Sequence, residues 1–422
     1  MTSLPGGGAG ERWSALRGPL LVSVGMALLG LGSYSFLIIS GRSLGLADFG
    51  RLASLWALVF GVVGGLVFPF EQESVRVVAE QGRGAELRRI SVLLAGVVAF
   101  VLLAGAAWWL WSPAWIRGGA GFAVALAVSV VTLPVAGLTR GALLGAERFG
   151  SAGVELALEG LLRAAGVVVL ASLGRGFVWF AVLLAIAPLI SAFAVLPAVF
   201  TVPRATGIPR AWPVLIAELG TLALGTGIAL MVLNIGPLLV NGLGGPTSAG
   251  RFTAAFTLVR LPVFFAGPIA GALLPRFVRA YGTGELRGAL RRELLPLAGL
   301  AVVAALLLGA LTPFLVRSLY GPKFLITVGS SLVLGLSAAV HLVAVILQAS
   351  LIAAGRRRRI VLGWSLGLGV LIAMASWLPG AVVERVSWAY LASAAVTVGV
   401  MVVGRAGGRA KATSGGSGSQ TV

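Results

Sequence analysis

Apolar residues in this chain come in long runs, separated by short stretches where arginine, glycine and proline collect. A helix needs roughly 20 apolar residues to cross the hydrocarbon of a bilayer. Twelve windows qualify, near 19–40, 50–70, 90–111, 119–140, 152–172, 177–200, 214–240, 252–275, 294–315, 325–354, 360–378 and 386–404. The pattern predicts an all-α integral membrane protein with about 12 transmembrane helices. The connectors are too short to hold a soluble domain, and the Gly/Ser/Arg-rich tail, residues 405–422, reads as disordered. The first window, Pro19 to Ser40, exceeds the roughly 7–15 residues of a signal-peptide core, and no cleavage site follows it. It is expected to stay as the first span.

Composition agrees with this pattern. Hydrophobic residues make up 58% of the chain and charged residues 11%, against about a quarter charged in soluble domains. The net charge of +19 would suit nucleic acid if it lay on a soluble face, but the basic residues sit in connectors between apolar spans. Of the 32 lysines and arginines, one set of alternate connectors holds only Arg42, Arg51, Arg117, Arg175, Arg251, Arg317, Lys323 and Arg385, and Arg163 and Arg260 fall within spans. The rest lie in the other set, with the termini. By the positive-inside rule that set is cytoplasmic, with both termini inside; the richness in Ala, Gly, Arg and Val suggests a GC-rich bacterial source, hence a bacterial plasma membrane.

The chain also repeats itself. Without a gap, the stretch Leu37–Ile90, from Gly41 onward, overlays the segment that starts at Asn241, pairing Gly45 with Gly245, Gly50 with Gly250, Arg51 with Arg251 and Arg76 with Arg276. A fainter echo sets Leu143, Ala146 and Arg148 on Leu351, Ala354 and Arg356. Two related six-helix bundles follow, 1–205 and 206–404. A repeat in the same orientation implies a pseudo-two-fold along the membrane normal, with a cleft between the bundles.

Three stretches carry a family resemblance. They are SGRSLGLADFGRLASL, with Arg42, Leu44, Gly45, Phe49 and Gly50; the arginine-bearing connector after span 2; and LLGAERFG after span 4. Together they resemble the polysaccharide flippases of the multidrug/oligosaccharidyl-lipid/polysaccharide exporter superfamily. The resemblance implies a two-bundle fold and movement of a polyprenyl-(pyro)phosphate-linked oligosaccharide from the inner to the outer leaflet by alternating access. It also implies a place beside glycan-assembly enzymes in cell-surface polysaccharide biosynthesis.

Ionisable residues within spans are costly and therefore mark candidate sites. Arg260, in FTLVRLPVFFAGPIAG, lies about ten residues in from one end of span 8, beside Pro262 and Pro268, which predict a bent or broken helix. It reads either as a cavity arginine for an anionic substrate or as a partner for a carboxylate such as Glu218. Arg76 and its repeat mate Arg276 could receive phosphate oxygens at the cytoplasmic mouth, or simply anchor helix ends. Glu71 and Glu73 at the inner end of span 2 read as a proton-sensitive gate, in which Glu73 pairs with Arg76 and Glu71 points elsewhere, or as an interfacial ion pair. Glu218 is the third candidate for gating or ion coupling. Glu155, Glu159 and Arg163 form an i, i+4, i+8 stripe that can satisfy itself along span 5. Asn234, Asn241, His341 and Gln348 read as hydrogen-bonded helix contacts.

Several chemistries are missing from the sequence. It has no cysteine, and its only lysines are Lys323 and Lys411, neither in a phosphate-binding loop. No Cys/His or carboxylate grouping has metal-ligand spacing. No cofactor is called for, and an enzyme is not expected. A membrane-embedded glycosyltransferase or polymerase would need carboxylates in its outer loops, which offer only Asp48 and Glu384. The nearer rival is a drug/cation antiporter of the same superfamily.

Overall fold

The computed structural model describes residues 9–111, 119–204, 209–264, 266–283 and 285–403. The tail at 405–422, expected to be disordered, lies outside the described residues. The described chain is almost wholly helical. Its helices are α1 (Ala9–Leu44), α2 (Leu46–Gln81), α3 (Ala85–Trp111), α4 (Ala120–Gly145), α5 (Phe149–Ser172) and α6 (Phe177–Phe200), then α7 (residues 212–244), α8 (residues 246–282), α9 (Leu286–Tyr320), α10 (Val328–Ala353), α11 (Arg357–Trp377) and α12 (Val382–Val403). Each predicted span falls, among the described residues, on one of these helices, α10 starting three residues later than its window. Among the described residues, ten helical stretches are long and apolar enough to cross a membrane, one of them being the continuous Trp212–Val259. That stretch holds α7 and the first turns of α8, because its backbone leaves the helix at Gly245. Helix α5 is as long as its neighbours but carries Glu155, Glu159 and Arg163, and α8 is interrupted at Arg260. The chain is an all-α, multi-pass membrane protein.

The sequence repeat is also a repeat of backbone conformation. Gly45, between α1 and α2, has φ 78° and ψ 176°; Gly245, between α7 and α8, has φ 78° and ψ 172°. An L side chain is strained there, so glycine is required at both joints. The fainter echo is equally clear. Helix α4 ends with Arg148 N–H bonding to Leu143 O at 2.8 Å and Glu147 N–H to Leu144 O at 3.1 Å, while α10 ends with Arg356 N–H on Leu351 O at 2.9 Å and Gly355 N–H on Ile352 O at 3.0 Å. These are two copies of the paired-bond cap that follows a left-handed residue. That residue is Glu147 (φ 55°) in one copy and Gly355 (φ 68°) in the other.

Packing divides the chain into two compact units, Met1–Ala254 with Leu319–Phe324, and Ala255–Ser318 with Leu325–Val422. Helix α7 and the first turns of α8 thus group with the first six helices. Leu319–Phe324 belongs with them because Phe49 packs on Tyr320 and Phe324, with ring centroids 5.6 and 5.7 Å apart.

Small residues let the helices of the first unit approach closely. Gly25 and Gly32 of α1 lie on Gly153 and Gly160 of α5, where an added Cβ would sit 2.4 and 2.0 Å from the facing carbonyl oxygens. Gly50 and Gly250 face each other's helices in the same reciprocal way. Where α2 crosses α7, Gly65 meets Gly227, and both helices widen into π turns at the crossing, Leu58–Val63 and Ala223–Gly227. In the second unit α10 is the central helix, with Ala266–Gly282 and α12 packed on it and α11 on α12.

Candidate functional site

Two ion networks lie in the first unit, and α2 supplies both. Glu71 and Glu73 are two residues apart, about 200° around a helix, so they address different neighbours, as the sequence predicts.

Glu73 faces α3 and the segment that leads into α7. Arg76 donates to it from Nε at 3.1 Å and from Nη2 at 2.6 Å, and reaches Glu80 at 3.0 Å and Glu218 at 3.2 Å. Arg210 pairs with Glu73, Glu86 and Glu218 together. The side chains of Glu73 and Glu86 are only 3% and 2% exposed, so Arg210 neutralises charges that water does not reach. Burial works against the charge on Arg210; the hydrogen bonds it donates to Glu73 and Glu86 more than offset this and hold the guanidinium above the ordinary arginine range. The same region is tied by Arg83 N–H to Pro203 O at 2.9 Å and by Arg89 over the Trp212 ring at 5.0 Å. The α2–α3 turn is therefore fastened to the start of α7.

Glu71 turns the other way, into α4 and α5. Arg140 grips Glu155 with both arms, Nε at 2.7 Å and Nη2 at 3.0 Å, and reaches Glu71 at 3.4 Å and Glu159 at 3.5 Å. Glu159 also pairs with Arg163. Arg163, 1% exposed, donates to Ser33 Oγ of α1 at 2.9 Å and lies over the rings of Trp56 and Phe60, 5.6 and 5.1 Å from their centroids. The stripe on α5 thus satisfies itself only in part: Glu159 pairs along the helix, while Glu155 is held across the bundle. Glu71, Glu155 and Glu159 set three carboxylates against the two guanidiniums of Arg140 and Arg163. The surplus of one negative charge is what a proton or a small cation would neutralise.

In the second unit, α8 breaks around Arg260, as the prolines predict. Helix runs to Val259, resumes over Leu261–Phe264 and continues from Ala266. The Arg260 guanidinium lies over the Phe256 ring, 4.4 Å from its centroid, and Phe256 packs on Tyr390 at 5.2 Å. Tyr390 meets His341 edge-on at 6.0 Å, and His341 stacks on Trp364 at 6.1 Å. His341 Nδ1 lies 2.9 Å from Ser337 O. A carbonyl only accepts, so Nδ1 carries the proton and Nε2 presents a lone pair, which has no partner among the described residues. Trp364 donates to Gln348 at 2.7 Å, and Asn234 of the first unit to Leu230 O on its own helix at 2.8 Å. Arg276 pairs with Glu293 at 3.0 Å. Glu218, suggested as a partner for Arg260, is engaged by Arg76 and Arg210.

Sequence reasoning missed Arg140, Arg210 and Glu86, which it counted as connector residues or passed over. The available signal was Arg140, whose helix runs on to Gly145 and so carries the arginine more than a turn inside.

The chain shares its fold with the MATE transporters. One similar structure is a MATE protein in complex with MaL6, with a TM-score of 0.63 and 15% identity, covering 93% of this chain and 95% of that one. Another is the inward-facing conformation of a multidrug resistance MATE family transporter of the MOP superfamily, with a TM-score of 0.64 and 13% identity over 92% of this chain and 98% of that one. A third is a MOP superfamily transporter from Pyrococcus furiosus, described as having a binding pocket of reversed polarity, with a TM-score of 0.60 and 16% identity over 92% and 93% of the two chains. No protein-family model matches the sequence, and no curated protein matches it either.

Proposed function

We propose that this protein is an alternating-access transporter of a bacterial plasma membrane, with both termini cytoplasmic. Its substrate is a polyprenyl-(pyro)phosphate-linked oligosaccharide, flipped from the inner to the outer leaflet. One observation carries the anionic substrate. From residue 255 onward the only acids are Glu285, Glu293 and Glu384, all within about two turns of a helix start, and the ionisable group deep in α8 is Arg260, at a helix break against Phe256. A guanidinium at a break is suited to a phosphate: its fork matches two oxygens, and an interrupted helix leaves backbone groups for a polar ligand. Arg76 and Arg276 are further phosphate contacts, each of which would first release its carboxylates. Glu71, Glu73 and Glu218 serve as gating groups, and the product would pass to glycan-assembly enzymes on the outer face.

The drug/cation antiporter is the second reading, favoured by the surplus carboxylate among Glu71, Glu155 and Glu159. Thermal stabilisation of the detergent-purified protein separates the two. An undecaprenyl-pyrophosphate sugar should raise the melting temperature and ethidium should not; the reverse result would reject the anionic substrate.

A further inference from the structure

The two copies of the cap described above end in opposite chemistry. After Arg148 the first turn of α5 continues with Phe149, Gly150 and Ser151; after Arg356 the first turn of α11 continues with Arg357, Arg358 and Arg359. The backbone is the same, so the difference lies in what each turn presents. Neither helix start has a side-chain cap. The first turn of a helix carries the positive end of its dipole and favours anions, so three arginines there oppose the local field. Arg357 and Arg358 are exposed, and Arg359 buries Nη1 without a partner among the described residues.

The surroundings add to this charge. Helices α8 to α11 alternate in direction, which brings the end of α8, the start of α9 and the α10–α11 turn to one side of the second unit. Arg279, Arg291 and Arg292 lie there, all exposed, and the acids in these segments are Glu285 and Glu293, the latter already paired with Arg276. In the first unit, Arg76, Arg140, Arg163 and Arg210 each close on glutamates, whereas Arg88, Arg148 and Arg204 are exposed.

We propose that the Arg356–Arg359 turn, reinforced by Arg279, Arg291 and Arg292, binds the anionic phosphate headgroups of phospholipids in the adjoining leaflet. Helix α11 is long and apolar enough to span the membrane, so its first turn falls at headgroup depth. Guanidinium forks and open helix N–H groups are both phosphate ligands. The surface is complementary to an anionic leaflet whatever the protein transports. A basic residue close to such a leaflet contributes about fivefold in affinity.

The test is native mass spectrometry of the full-length protein after equilibration with equimolar phosphatidylglycerol and phosphatidylcholine. The wild type should retain phosphatidylglycerol preferentially. Arg357→Gln/Arg358→Gln should lose about twenty-five-fold of that preference, two arginines at about fivefold each, while Arg357→Lys/Arg358→Lys keeps most of it. Arg175→Gln, at an exposed arginine on another connector, should change nothing. No preference in the wild type, an undiminished preference in the glutamine variant, or an equal loss in Arg175→Gln would overturn the proposal. So would displacement of the lipid by inorganic phosphate beyond that caused by chloride at equal ionic strength, which would make the ligand a free anion.

Discussion

Replacing Arg210 by alanine is the sharpest test of the packing of the first unit. Glu86 has Arg210 as its ion-pair partner and is 2% exposed, and Glu73 would keep only Arg76. Removing one side of a buried pair costs about 3–5 kcal/mol, because the remaining charge is left uncompensated. Arg210 is itself 22% exposed and Glu73 retains one partner, so the loss should fall near the lower limit, about 3 kcal/mol. The assay is denaturant unfolding in detergent of Arg210→Ala, Glu86→Gln and the double variant. Because Glu86→Gln removes the stranded charge, the double variant should recover at least about 1 kcal/mol relative to Arg210→Ala, a coupling in the range that contacting residues show. A loss below about 1 kcal/mol for Arg210→Ala, or strictly additive effects, would refute the reasoning: Arg210 would then be a surface pair of the weak kind.

Three further outcomes follow from the backbone. Gly45→Ala and Gly245→Ala should each cost about 1–3 kcal/mol, and by similar amounts, since a Cβ at either position meets no other atom and the strain is that of φ 78° alone; unfolding midpoints in detergent would check this. Glu147→Gly should instead stabilise by about 1 kcal/mol, because a side chain now occupies the left-handed position that Gly355 fills in the other copy. Gly32→Ala should lower the melting temperature and loosen α1 from α5, with protease sensitivity of α1 as the readout, since the new methyl would lie 2.0 Å from Gly160 O.

The spans, the glycine joint at Gly45 and its return at Gly245 were legible because they are local: hydropathy runs at helix length, and only glycine accepts that φ. The break in α8 was legible from Pro262 and Pro268 for the same reason. Pairings across the bundle were not. Arg140 finds Glu155 at a separation of 15 residues and Glu71 at 69, and Arg210 finds Glu86 at 124. No spacing rule records such distances, and counting arginines toward orientation hides the fact that two of them are structural. Glu73 with Arg76 was legible because three residues place them on one helical face. Glu155 was expected to pair along α5, and the bidentate grip of Arg140 takes it instead.

The central claim is that Arg260 makes the second unit a binder of anionic substrate. Translocation of a fluorescent polyprenyl-pyrophosphate sugar in proteoliposomes tests it most directly, with wild type against Arg260→Gln and Arg260→Lys, with and without an imposed pH gradient. Flipping should occur in the wild type, fall to background in Arg260→Gln and survive in part in Arg260→Lys, with all three proteins equally inserted. Full flipping by Arg260→Gln, or none by the wild type alongside uptake of organic cations, would contradict the account.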